Sequence, residues 1–262
     1  MNRSITQFTF IILLSTLIVS CTDTEKVQLV EKTIQETKAE YVSDSRVALF
    51  SATASAKQNT IVLTGETSLP EARASLLASL DQKNIAYADS ISVLPATELG
   101  NEVYALVNNS VSNLRSEPKH SAQLATQAIL GMPLKVLKKQ GGWYLVQTPE
   151  DYLSWVDSGG ITRVDKSTLA DWADADKIIY LNTVGFSYSK ANTGSEKVSD
   201  LVAGNILKLK NSSGSYYEVE YPDGRRAFVA KREARLLDDW ISSVSATPEA
   251  LTNTAKTLIG SP

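Results

Sequence analysis

An internal repeat constrains the fold more than any other feature of this sequence. Shifting the chain along itself by 73 positions aligns Gly131 with Gly204 and Trp155 with Phe228. In both copies an aromatic residue follows the glycine after twelve positions, and a second aromatic residue follows after twelve more. Self-similarity of this kind indicates two copies of one structural module between positions 103 and 237.

Each copy has the pattern of short antiparallel strands joined by tight turns. In the first copy, MPLKVLKK, WYLVQT and YLSWV are separated by Gly141-Gly142 and Pro149-Glu150-Asp151. The second copy repeats this arrangement around Pro222-Asp223-Gly224. So few short strands bury a core best when they close into a barrel. We therefore predict a mainly β fold with two small barrels in tandem, over residues 103–165 and 175–237.

Three segments of the first copy carry a family resemblance: SNLRSEP at positions 112–118, then GGWYLV and YLSWV. Together they resemble the bacterial SH3 domain. The second copy keeps the hairpin core but has VGFSYSKAN where the first has VSNLRSEP, so its edge loop has diverged. The resemblance implies binding of cell-wall peptides or glycan, typically in front of a peptidase domain.

The resemblance also implies two substrate-binding residues. In similar peptidases, which cleave γ-D-glutamyl-diaminopimelate bonds, an acid and a tyrosine of the first SH3 domain help hold the free amine of a wall peptide. The positions that look similar here are Glu117 and Tyr152. A carboxylate facing an ammonium group in a partly dry cleft forms a charge-assisted pair. From the residues alone, a solvated turn residue and a strand residue that shields the barrel are equally good readings.

Two tryptophans of the first copy are further candidates. Trp143 and Trp155 are read as barrel core or, alternatively, as the floor of a binding groove. Ser154 departs from the family, which often has glycine before this tryptophan, and the larger residue would narrow such a groove.

Residues 1–20 predict a lipoprotein signal peptide. An apolar run at positions 8–19 follows Arg3 and is too short to span a bilayer comfortably. The residues directly before Cys21, the only cysteine, resemble a bacterial lipobox. The resemblance implies a lipid anchor on Cys21, a spacer through residue 26, and a place in the cell envelope facing the periplasm or exterior. A plain signal peptide with a stray cysteine is the alternative.

Residues 27–100 predict a small α+β unit in the order helix, strand, strand, helix, strand. Ser68 is the predicted cap of the second helix, with Glu71 completing a capping box. The order resembles the BON-type modules of envelope proteins. The alternative is a spacer domain that lifts the rest of the chain off the membrane.

The segment TPEALTNTAKTLIGSP, positions 247–262, predicts a helix capped by Thr247. After tandem SH3 domains it resembles the entry to an NlpC-type cysteine peptidase domain, so residues 238–262 would be a linker and the first helix of a truncated catalytic domain. The implied function is the membrane-tethered, substrate-recognising region of a peptidoglycan-peptide endopeptidase. Its partners would be stem peptides or the murein tripeptide.

Two other functions stay open. A complete, non-catalytic lipoprotein would bind peptidoglycan or a protein partner through its barrels, and would pack Leu251, Leu258 and Ile259 against the second barrel. A purely structural spacer would have no groove of aromatic and acidic residues around Glu117 and Tyr152.

The composition excludes several kinds of chemistry for this chain alone. Its single cysteine and single histidine, His120, cannot form a Cys/His catalytic pair in a wall-peptide cleft or a zinc site. We therefore expect no activity from these residues alone, no metal and no cofactor. A net charge of −3 argues against nucleic acid as a partner. The sequence does not indicate an oligomeric state.

Overall fold

The computed structural model describes residues 23–58, 60–257 and 259. The predicted signal peptide, Cys21 and Leu258 therefore lie outside the described residues. Among the helices that are described, none combines the length and apolar character that crossing a membrane requires.

The N-terminal unit has the predicted order of elements. These are α1 (Asp23–Tyr41), β1 (Phe50–Lys57), β2 (Thr60–Thr67), α2 (Pro70–Gln82) and β3 (Tyr87–Val93). In the sheet order β1-β2-β3, β1 and β2 are antiparallel, whereas β2 and β3 are parallel and joined through α2. Apolar faces of both helices meet the sheet in one core.

Two details of this unit differ from the sequence prediction. Helix α1 begins at Asp23 rather than at Val27, so it includes residues assigned to the spacer. The N-cap of α2 is Leu69, without a side-chain cap, and Pro70 occupies the first helical turn. The Ser68 hydroxyl instead accepts a hydrogen bond from the backbone N–H of Leu49 (2.9 Å).

The first repeat forms a seven-stranded antiparallel sheet. Its strands are β4 (Tyr104–Val107), β5 (Val111–Arg115), β6 (Leu124–Ile129), β7 (Pro133–Gln140), β8 (Trp143–Gln147), β9 (Leu153–Asp157) and β10 (Ile161–Val164). Short 3-10 turns at Thr97–Leu99 and Ser158–Gly160 precede β4 and β10. Helix α3 (Lys166–Asp174) then leads to the second repeat.

The second repeat forms another seven-stranded antiparallel sheet, followed by two short helices. Its strands are β11 (Lys177–Tyr180), β12 (Val184–Tyr188), β13 (Lys197–Val202), β14 (Ile206–Ser213), β15 (Tyr216–Glu220), β16 (Arg226–Ala230) and β17 (Ala234–Leu236). The helices are α4 (Leu237–Ser243) and α5 (Pro248–Lys256).

The structure confirms the repeat strand by strand. The sheet orders are β10-β4-β7-β8-β9-β5-β6 and β17-β11-β14-β15-β16-β12-β13, which are the same topology. Even the irregularities recur at the same offset: one register shift lies between Leu114 and Arg115, and its equivalent lies between Ser187 and Tyr188. The second copy has therefore kept the strand arrangement of the first, although the loop after β12 has diverged in sequence.

The sheets are not the closed barrels that we expected. Hydrogen bonding runs in each unit from one end strand to the other, and among the described residues no pairing joins the two ends. Within the sheet, the β5–β6 hairpin pairs with β9 through a single residue pair, Arg115 with Trp155. The first sheet still wraps around one core, because residues from all seven of its strands share one apolar cluster.

The two repeats are joined by shared core and hydrogen bonds rather than by a loose linker. Leu130, from the first repeat, is fully buried in the core of the second. Its carbonyl accepts a hydrogen bond from the N–H of Ile206 (3.0 Å), and the Asn205 side chain donates to the Ser110 carbonyl (2.9 Å). A buried junction of this kind holds the repeats in a fixed orientation.

The C-terminal helix is exposed. The side chain of Leu251 is 62% exposed and that of Ile259 is 80% exposed. The packing against the second repeat that the non-catalytic alternative requires is thus not formed by these two residues.

The repeat glycine supplies a stability test. Gly131 has φ +86°, and a Cβ there would lie 2.5 Å from the Ile206 carbonyl oxygen. We expect Gly131→Ala to lower the free energy of unfolding by at least about 2 kcal/mol, since both the left-handed backbone and the crowded junction disfavour a side chain. A Cβ on Gly142 would meet nothing within 4 Å, so Gly142→Ala is the control. Equal denaturation midpoints for the two variants would contradict this account of the junction.

Candidate functional site

The sheet of the first repeat is apolar on both faces. Successive side chains of β8 point to opposite faces, so Tyr144 and Val146 enter the core of the repeat. On the opposite face, Trp143 and Leu145 join a second apolar cluster with Trp155. We call this second cluster, completed by Leu94 and Leu137, the outer-face cluster.

The N-terminal unit covers the outer-face cluster. Leu94, from the end of that unit, belongs to it, and Leu49 packs against it. Backbone hydrogen bonds tie the same surfaces together: Ala96 N–H donates to the Leu137 carbonyl (2.8 Å), and Leu153 N–H donates to the Arg46 carbonyl (2.7 Å). The N-terminal unit is therefore packed on the first repeat.

One ion pair lies at the rim of this contact. The ammonium group of Lys138 pairs with the carboxylate of Glu66 in β2 and lies 5.4 Å from the ring centroid of Trp155. The Lys138 side chain is 21% exposed. The pair and the cation–π contact act together at the same edge of the cluster.

The two tryptophans lie in the outer-face cluster rather than in the apolar cluster inside the repeat. Trp143 and Trp155 are each only 9% exposed, beneath the N-terminal unit. Little indole surface is left for a ligand. One difference between the copies indicates that this face is covered in the first. The second copy has Glu218 where the first has Leu145, and a charged residue does not suit a covered face.

Glu117 lies in the loop between β5 and β6. Its side chain is 59% exposed, and its carboxylate pairs with the ammonium group of Lys119 at 2.7 Å. His120 in the same loop is 80% exposed, with Nε2 3.8 Å from Asp157 and the ring edge-on to Trp143 at 4.9 Å between centroids. This loop therefore presents charged groups to solvent.

Tyr152 directly precedes β9 and is half-buried. Two hydrogen bonds to Thr148 fix its backbone: its N–H donates to the threonine hydroxyl (3.2 Å), and its carbonyl accepts from the threonine N–H (3.0 Å). The guanidinium of Arg46, from the loop before β1, lies over the phenol ring, 5.7 Å from the centroid. Its own turn thus holds the backbone of Tyr152, and the N-terminal unit covers the ring.

Arg46 is fixed by a carboxylate. Its Nε donates to Asp44 (3.0 Å), and its Nη2 donates to the second carboxylate oxygen (2.7 Å). These side-chain hydrogen bonds, with one from the Arg46 backbone N–H, lower the pKa of Asp44 to about 2. Asp44 is therefore ionised at neutral pH and keeps the guanidinium in place.

Glu117 and Tyr152 each lie a few residues along the chain from one strand pairing. The pairing of Arg115 with Trp155 brings the end of β5 next to β9. Glu117 follows β5 by two residues, and Tyr152 precedes β9 by one. Their side chains contact Lys119 and Arg46 respectively. Each of the two candidate residues thus has a cation at its side.

A shallow cleft adjoins Tyr152. It has a volume of about 290 Å³ and is lined by residues of the first repeat and of α3: Tyr104, Pro133, Leu134, Lys135, Gln147, Thr148, Pro149, Asp151 and Leu169. Thr148, which binds the Tyr152 backbone, is part of its wall. Within the described ranges, no group of histidine, cysteine and acidic side chains is arranged to hold a metal ion.

The second repeat lacks the equivalent pair. At the same offset, Glu117 corresponds to Lys190 and Tyr152 to Arg225. Arg225 is used at the junction of the repeats, where it donates to the Asn108 carbonyl (3.0 Å) and binds Asp223. The second copy has therefore kept the fold and replaced both candidate binding residues.

Comparison with known families decides the nature of the first repeat. Residues 114–161 match the family described as the bacterial dipeptidyl-peptidase SH3 domain. The first repeat is a bacterial SH3 domain. Because the second repeat has the same topology, we call the two repeats the first and second SH3 units.

One curated relative also matches. The Bacillus subtilis protein named "Putative N-acetylmuramoyl-L-alanine amidase YrvJ" is 26% identical over 148 residues, which are 55% of this chain and 27% of that protein. The chain therefore spans about a quarter of the length of this relative.

Two solved structures of lower similarity are an NlpC/P60 family protein from Bacillus cereus and an NlpC/P60 endopeptidase from Photobacterium damselae. The first is 18% identical, with a TM-score of 0.49 over 59% of this chain and 63% of that one. The second is 13% identical, with a TM-score of 0.39 over 79% and 44%. Both TM-scores are too low to establish a shared fold for the whole chain.

The outer-face cluster supplies a second test. We expect Trp155→Ala to lower the free energy of unfolding by about 3–5 kcal/mol, because a buried indole is removed. Phe228→Ala, at the equivalent and only half-buried position of the second SH3 unit, is the matched control and should cost clearly less. Chemical denaturation measures both. Equal losses would contradict the covered position of Trp155.

Proposed function

We propose that this chain recognises cell-wall peptides through its first SH3 unit, as the substrate-binding region of a peptidoglycan-peptide endopeptidase. The observation that carries the proposal is the match of residues 114–161 to the SH3 domain of bacterial dipeptidyl-peptidases. The relative from Bacillus subtilis, named for an activity on the cell wall, supports a function at the cell wall.

In this proposal Glu117 binds the free N-terminal amine of the peptide. The carboxylate is paired with Lys119 in the absence of a ligand, and both side chains are more than half exposed. An exposed ion pair contributes roughly 0–1 kcal/mol, so a ligand ammonium group displaces Lys119 at little cost. In the drier contact with a bound peptide, the new charge-assisted bond is stronger than the one it replaces.

Tyr152 would supply a flat apolar wall and a hydroxyl group beside the amine. Its backbone is held by Thr148 and its ring by Arg46. The ring therefore loses little conformational freedom when a peptide binds, which favours affinity. The second SH3 unit, with Lys190 and Arg225 at these positions, would act as a rigid support.

The chemistry of hydrolysis would come from residues other than those described. A cysteine nucleophile needs a base within hydrogen-bond reach, whereas His120 is 80% exposed and lies against Trp143. The only cysteine, Cys21, is assigned in this proposal to lipid attachment.

Binding of the tripeptide L-alanyl-γ-D-glutamyl-diaminopimelate tests the proposed site. We expect Glu117→Gln to weaken binding by about tenfold or more, because it removes a charge-assisted hydrogen bond. Tyr152→Phe should weaken binding less, since it keeps the wall and removes only the hydroxyl. Titration calorimetry measures each dissociation constant.

Two controls make this experiment specific. Glu196→Gln removes an exposed acid from the equivalent loop of the second SH3 unit and should bind like the unchanged protein. N-acetylation of the tripeptide should abolish the difference between Glu117→Gln and the unchanged protein. The assignment of Glu117 would be refuted if the acetylated peptide bound tightly and if Glu196→Gln weakened binding as much as Glu117→Gln.

We also propose that a lipid on Cys21 tethers the chain to a bacterial membrane, facing the periplasm or exterior. The support is the sequence before Cys21, which resembles a bacterial lipobox. In cells fed a clickable fatty acid, Cys21→Ala should lose all label and appear in the soluble fraction. Ser20→Ala, which keeps a small residue before the cysteine, should stay labelled. Unlabelled protein in both cases would rule out the tether.

A further inference from the structure

We propose that Arg46 is a positioning and specificity residue of the peptide site, so that the N-terminal unit is a working part of recognition rather than a spacer. The inference deepens the proposed function and rests on it. Arg46 would hold the Tyr152 ring and would favour an anionic group on the ligand at that end of the site.

The positioning role rests on two contacts to the same turn. The Arg46 carbonyl accepts the N–H of Leu153 (2.7 Å), the residue next to Tyr152, while the guanidinium lies over the Tyr152 ring. A further hydrogen bond lies beside these two contacts: Gln147 Nε2 donates to the carbonyl of Val47, the residue after Arg46 (3.3 Å). Backbone and side chain of Arg46 therefore fix the start of β9 and the ring at once.

The specificity role follows from charge and exposure. Asp44 occupies Nε and one N–H of Nη2, and the Arg46 side chain is still 68% exposed. The remaining guanidinium edge can take a planar carboxylate. In the proposed site, Glu117 presents a carboxylate to the amine of the peptide. A peptide with an ammonium group at one end and a carboxylate farther along complements this order of charges.

The surroundings of the outer-face cluster make the arrangement rigid. Trp143 and Trp155 are covered by the N-terminal unit, and the Lys138–Glu66 pair closes one edge of the contact. A loosely tethered spacer would not hold Arg46 in register with the first SH3 unit. The second SH3 unit has Arg225 instead of a tyrosine at the equivalent position.

The test compares two forms of the tripeptide that differ in a single group: the free α-carboxylate of its glutamyl residue, or the carboxamide in its place. The unchanged protein should bind the carboxylate form at least fivefold more tightly. Arg46→Ala should lose this preference, and Arg46→Lys should restore part of it. Arg232→Ala removes an arginine of the second unit that is likewise exposed (71%) and paired with an acid, Glu233, and should keep the preference.

A second readout separates this inference from the proposed function. The ring signals of Tyr152, assigned in NMR spectra by Tyr152→Phe, should shift in Arg46→Ala and stay in place in Arg232→Ala. Unchanged ring signals, or an unchanged preference between the two peptides, would overturn the role of Arg46. If neither peptide binds the unchanged protein, the proposed function and the carboxylate preference fail together, and the ring signals alone decide the positioning role.

Discussion

The structure depends on the packing of the N-terminal unit against the outer face of the first SH3 sheet. That face carries Trp143, Trp155 and Leu145, which would otherwise expose a large apolar patch to water. Covering it stabilises both partners, because the tryptophans become 91% buried while Leu94 gains an apolar environment. The same contact brings Arg46 over Tyr152, so the candidate site is assembled by the interaction that holds the fold together.

The two SH3 units share a scaffold, but only the first carries the candidate site. Both copies keep the glycine with positive φ at their mutual junction, Gly131 and Gly204, and both keep the same register shifts. The copies differ at the two candidate binding positions, where Glu117 corresponds to Lys190 and Tyr152 corresponds to Arg225. The second copy uses its arginine to bind the first, which is consistent with a supporting role.

The sequence predicted what local patterns determine. The repeat, the strands, the turns and the order of elements in the N-terminal unit all follow from spacing and turn residues, and the structure confirms them. It did not predict contacts between units, because one face of a strand looks apolar whether it meets its own core or a neighbouring unit. The cover over Trp143 and Trp155 was not predicted for this reason, and Arg46 was missed because a lone arginine in a loop has no pattern.

The most direct test of the central claim is a map of backbone amide shifts during titration with L-alanyl-γ-D-glutamyl-diaminopimelate. The account predicts saturable shifts at three places that are far apart in sequence: Glu117 to Lys119, Tyr152 to Leu153, and Arg46. The equivalent segments of the second SH3 unit should stay unchanged. Shifts confined to the second unit, or spread over Trp143 and the core without Arg46 and Tyr152, would contradict the claim that the first SH3 unit and the N-terminal unit form one peptide site.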